Sequence, residues 1–199
     1  KLSLSSVLEH SVFLSKGFRP FFLGATFYAL VSMIYWGAVY FFGLSLDIGS
    51  LTSFQWHAHS MVFGYATAVI AGFLLTAVTN WTGQETLKGL PLLILFIIWL
   101  LARLCWMFLP YEPLFLGLLD LVYLLFLFIA IARPIIKVKQ WRQLAIISKL
   151  LIIVVALLAV VAFTQAIRIF EISSKIKGTD DDIKVNDKDN NTQGWLMLL

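Results

Sequence analysis

A chain of 199 residues that is 60% hydrophobic and only 13% charged lies outside the composition of ordinary soluble domains. Its formal net charge of +4 comes from basic residues grouped in loops, which membrane topology explains, so no nucleic-acid partner is expected. A single cysteine, Cys105, excludes both a disulfide framework and a Cys-x-x-Cys metal or haem-attachment motif.

The apolar residues fall in blocks longer than the roughly 18 that suggest a membrane span. The fold class expected is therefore all-α, a polytopic transmembrane bundle of about five spanning helices followed by a disordered polar C-terminal tail. The spans cover about Phe21–Gly43, His57–Thr79, Leu90–Leu109, Leu114–Arg133 and Leu144–Phe170. The first is too long for the apolar region of a signal peptide. Pro20, Pro91, Pro110, Pro113 and Pro134 fall at or beside their ends, where a missing N–H costs least.

The arm before the first span carries Lys1, Lys16 and Arg19, and the fourth loop carries Lys137, Lys139 and Arg142 beside Arg133. The first and third loops have no Lys or Arg, which predicts a cytoplasmic N-terminus and an outward-facing start of the second span. His10 in the arm reads as a surface residue. Lys16-Gly17-Phe18-Arg19-Pro20 and Asn80-Trp81-Thr82-Gly83 share the inner face. Arg19 and Asn80 there are either anion-binding groups or interfacial anchors.

Trp56-His57-Ala58-His59 opens the second span and holds two of the three histidines. Imidazole ligates haem iron and copper, and the Met61 thioether is a soft donor nearby. On an ideal helix His57, Met61, Gly64, Ala68 and Gly72 share one stripe, while His59 lies about 200° around from His57. That register predicts His57 facing protein and His59 facing elsewhere. The bland alternative is a pair of interfacial anchors. Arg103 in the third span and Asp120 in the fourth each lie about seven residues, roughly 10 Å, below the outer surface. Matched depth on adjacent antiparallel helices predicts an ion pair, either functional or a packing device.

Residues 1–170 thus read as the membrane domain and 171–199 as a polar low-complexity tail. The tail includes Asp180-Asp181-Asp182 and Asn186-Asp187-Lys188-Asp189-Asn190-Asn191. The absent initiating Met and this abrupt tail suggest a fragment or a truncated product.

Six segments, in order from about position 16 to 145, resemble the NnrS family. They are Gly17-Phe18-Arg19-Pro20-Phe21-Phe22-Leu23-Gly24, Trp56-His57-Ala58-His59, Ala71-Gly72-Phe73-Leu74-Leu75-Thr76-Ala77-Val78, Asn80-Trp81-Thr82-Gly83, Trp99-Leu100-Leu101-Ala102-Arg103 and Ala132-Arg133-Pro134. The resemblance implies a haem- and copper-containing protein of the bacterial inner membrane, protecting against nitric oxide or reactive nitrogen stress. It implies His57 or His59 as ligands and nitric oxide or another small molecule as a partner beside the lipid bilayer. The family pattern usually has Glu where Ser60 stands, so metal affinity is expected to fall below the family norm, by roughly the 10–100-fold of a lost outer partner. Family members run to about twice this length, which would leave a second half-bundle, or a second copy, to complete the assembly. No catalytic triad, P-loop or dinucleotide fingerprint is present, so the residues commit to no enzyme. The competing readings are half of a transporter or channel and a non-functional truncated product.

Overall fold

The computed structural model describes residues 11–44, 52–108 and 113–196. His10 lies outside them. Helix α1 is Phe18–Phe42, α2 Ser53–Thr82, α3 Gly89–Phe108, α4 Pro113–Lys137 and α5 Trp141–Leu196. The described residues are helical wherever they are regular, and four helices among them, α1 to α4, are long and apolar enough to cross a membrane. The fifth expected span is helical throughout as the first part of α5. The polar tail, expected to be disordered or loosely attached, continues this helix to Leu196. Its side chains at 171–178 are exposed and add nothing to the core.

Helix ends follow local chemistry. Thr52 and Gln55 form a capping box at the start of α2, satisfying two backbone N–H groups that the first turn leaves over. Gly43 and Gly83 end α1 and α2 at φ of 63° and 64°, a conformation that costs glycine little. Pro134 departs from expectation: it sits inside α4, which continues to Lys137. The helix gives up one backbone bond there, near its end, and Val138 N–H still reaches the Pro134 carbonyl at 3.3 Å.

α2 is the central helix, packed on α1 and α4, and α4 also carries α3 and α5. Small residues allow this. A Cβ on Gly72 would come within 2.7 Å of the Phe22 ring, and one on Gly64 would overlap Tyr28. The core fills with Phe21, Ala68, Ala71, Leu75, Val78, Leu92, Leu95, Trp99, Tyr123 and Ile131. α1 and α3 meet only sparsely, leaving a groove between them.

The arm, the α2–α3 loop and the α4–α5 loop gather at one end. Gly89 N–H bonds the Leu14 carbonyl at 3.0 Å, Lys137 reaches Gln84 at 2.8 Å and Gln140 reaches the Trp81 carbonyl at 3.0 Å. The basic loops thus share one end of the bundle, and both histidines of α2 lie at the other.

α2 is not a uniform helix. Ser60–Ala66 winds as a π-helix between the α-helical stretches Ser53–His59 and Thr67–Thr82. Such a segment takes up one residue more than the α-helix would over the same stretch, with i→i+5 bonds. Burial shows the effect: Trp56, Ser60, Gly64, Ala68 and Gly72 are buried at steps of four, as are His59, Phe63, Thr67 and Ala71. At about 100° per residue, one absorbed residue turns the whole preceding stretch around the axis. Neighbouring helices bind this region's carbonyls: Trp99 Nε1–H donates to Gly64 at 3.1 Å and Tyr123 Oη–H to Thr67 at 3.3 Å. In hydrocarbon such side-chain donors replace the water that an irregular backbone would otherwise need.

Candidate functional site

The π-helix turns His59 into the bundle and His57 toward its surface, the reverse of the ideal-helix expectation. His59 is 5% exposed, whereas His57 is half-buried and stacked on Trp36 with ring centroids 4.6 Å apart. The physical cause is the extra residue absorbed between Ser60 and Ala66. The small-residue part of the expected stripe, Gly64, Ala68 and Gly72, does face protein. Met61 is half-buried, outside the enclosed face.

Around His59 lies a cluster drawn from three helices. Arg103 on α3 and Asp120 on α4 form the expected ion pair through Nη2 and Oδ1, each 1% exposed. Asp120 Oδ2 accepts Trp106 Nε1–H at 2.8 Å and faces His59 Nε2 at 3.1 Å, a close approach not aligned as a hydrogen bond. The carboxylate therefore serves a guanidinium, an indole and an imidazole at once. Burying it alone would be prohibitive, and the Arg103 charge together with these polar neighbours offsets that cost.

Aromatic rings set the imidazole's plane. Phe63 stacks on His59 with centroids 4.7 Å apart, and Trp106 lies 3.9 Å away. Trp106 is held in turn, because Trp56 Nε1–H donates to its backbone carbonyl at 3.1 Å. His59 Nδ1 is buried with no hydrogen-bond partner, as are Ser60 Oγ, Ser32 Oγ and Tyr28 Oη. Buried polar atoms without partners are uncommon, and their concentration here marks the place where a ligand would add most.

Sequence reasoning misses Trp106. It lies three residues after Arg103 and seven after Trp99, on one helical stripe, and that spacing is the available signal. Arg19 and Asn80 stand at the opposite, basic end and do not join the cluster. Arg19 Nη1 turns back to the Val12 carbonyl and to Ser15 Oγ, the latter at 2.7 Å. Asn80 is exposed and lines a small cavity of about 120 Å³ with Lys16, Thr79 and Glu85.

The geometry suits binding by one imidazole nitrogen better than encirclement of a bare ion. Among the described residues no group of three His, Cys, Asp or Glu side chains converges to hold a metal. A planar cofactor needs open space, and the cavity of about 620 Å³ between α1 and α3 has no histidine in its walls. His57 lies nearer the bundle surface, half-buried with one ring face on Trp36, although its Nδ1 is buried and without a hydrogen-bond partner.

Residues 12–174 match a family model described as NnrS protein. No curated protein and no solved structure matches the chain.

Proposed function

The chain belongs to the NnrS family, and on that premise we propose a haem- and copper-associated membrane protein that protects against nitric oxide or related reactive nitrogen species. The supporting observation is His59: one ring nitrogen faces the Asp120 carboxylate, and the other is buried without a partner. Metal-binding imidazoles almost always have an outer partner for the other ring nitrogen, a carboxylate, a backbone carbonyl or water, which fixes tautomer and ring orientation. In this reading the negative charge of Asp120 beside Nε2 favours the proton on that nitrogen, Phe63 and Trp106 fix the ring plane, and Nδ1 presents its lone pair to an ion or small molecule. Arg103 balances the carboxylate charge inside the bilayer. His57 takes the larger, flat group from the bundle surface, with Met61 as a soft donor in the same part of α2. Haem or copper, when bound, supplies one-electron chemistry toward a diatomic gas. The buried polar groups form a compact cluster at one end of the bundle, which favours a binding site over a transport path.

Separate sites predict separable losses. His57→Ala should lower haem, read from the Soret band, and His59→Ala should lower copper, read by elemental analysis. Full haem and copper in the His57→Ala/His59→Ala double variant would overturn both assignments.

We place the protein in the bacterial inner membrane with the basic end cytoplasmic, since the loops rich in Lys and Arg meet there. In a Cys105→Ser background, an impermeant thiol reagent added outside intact cells should label Ser50→Cys and leave Glu85→Cys untouched. The opposite pattern would move the histidines to the cytoplasmic half.

A further inference from the structure

The groove between α1 and α3 has a volume of about 620 Å³ and an almost wholly apolar lining, including Phe13, Leu23, Phe27, Phe96 and Leu104. It runs from Phe13 at the basic end to Phe108 near the other, with α1 positions 20, 23, 24, 27, 28 and 31 forming one wall at steps of three and four. On α3 the wall spans Phe96 to Phe108, about 18 Å at 1.5 Å per residue. At Gly24 the Phe96 and Trp99 rings lie directly against α1, where a Cβ would meet them at 2.7 and 3.0 Å.

Two features decide what fits. The lining is apolar along its length apart from Tyr28 and Arg103, whose polar groups are buried, Arg103 at 1% exposure with its Cζ 6.0 Å from the Tyr28 ring centroid. The basic end carries charge: Arg19 binds the Val12 carbonyl, next to Phe13 of the groove wall, and Lys16 is exposed in the same arm. A long narrow apolar trough with cations at one mouth matches a hydrocarbon chain tethered to an anion.

We propose that this groove holds one acyl chain of an anionic phospholipid, with the headgroup phosphate at Arg19. The bound chain covers the Tyr28 and Trp99 rings and seals the Arg103–Asp120 pair from lateral disturbance. Continuity with the surrounding bilayer supplies the ligand at high local concentration, so modest affinity is enough for occupancy. This site is independent of the metal reading, since no histidine lines it.

Native mass spectrometry of the full chain, taken from detergent after incubation with phosphatidylglycerol or phosphatidylcholine of equal chain length, tests it. A single retained lipid is expected, with phosphatidylglycerol preferred roughly fivefold for the cation at the mouth. Arg19→Gln should abolish the preference while retaining a lipid. Leu23→Trp, which fills the trough from an exposed position, should lose both lipids. Inorganic phosphate alone should not compete. Unchanged retention in Leu23→Trp, competition by free phosphate, or a dimer without lipid would each overturn the proposal.

Discussion

Asp120→Ala is expected to destabilise the bundle by about 3–5 kcal/mol, because it strands a buried guanidinium without its counter-charge. Arg103 is 1% exposed and cannot reach water without unpacking α3 from Tyr28. The same change removes the acceptor of Trp106 Nε1–H and the group facing His59. Arg103→Met should cost a similar amount for the mirror reason, an unpaired carboxylate. The double variant Asp120→Ala/Arg103→Met should recover much of the loss, since no charge then remains in the apolar interior. Midpoints of unfolding in mixed micelles give the three values. Single losses that simply add in the double variant would show two independent groups. Strong recovery would instead assign the pair a coupling that Trp106 and His59 depend on for their positions.

That pair is legible in the sequence. Charges inside spans are rare, and counting residues from the outer ends places Arg103 and Asp120 at equal depth on helices joined by a short loop. The spans are legible too, because runs such as Leu90–Leu101 admit no reading except burial in lipid or core. The facing of the histidines is not. An ideal 3.6-residue repeat carried through Ser60–Ala66 puts His57 inward and His59 outward, and nothing in that stretch, with no proline, announces a change of winding. What decides it is tertiary: Trp99, Tyr123 and Asp120 meet α2 from two other helices and hold the wider turn. The trace left in sequence is a step of four linking Trp56, Ser60, Gly64, Ala68 and Gly72, visible only once four rather than 3.6 is tried. The tail illustrates the opposite limit: its polar composition says that it builds no core, and the disorder expected from that composition gives way to a helix that runs to Leu196.

The absorbed residue yields the second large effect, through a pair of single-residue deletions in α2. Val62 and Phe73 both point outward, at 40% and 56% exposure, so deleting either removes little packing. Their consequences should differ sharply. Deleting Phe73 removes a residue from regular α-helix and turns everything before it by about 100° relative to Thr76–Thr82. Gly64, Ala68 and Gly72 then leave the α1 contact, His59 leaves Asp120, and Trp56 loses the Trp106 carbonyl. The fold should fail or unfold at far milder conditions. Deleting Val62 removes the surplus residue of the π-helix and lets α2 close as a plain α-helix. In that register His59 comes eight positions before Ala68 and seven before Thr67 in the new chain, still on the buried face, and His57 stays on the outer one. The cluster should therefore survive, with a small loss from the shortened rise and the altered bonds of Trp99 and Tyr123. Unfolding midpoints give the first readout. The second is the Arg103–Asp120 coupling, which should persist in the Val62 deletion and be unmeasurable in that of Phe73. Equal damage from the two deletions would mean that the wide turn is itself required, and that His59 faces Asp120 only because α2 is wound as a π-helix there.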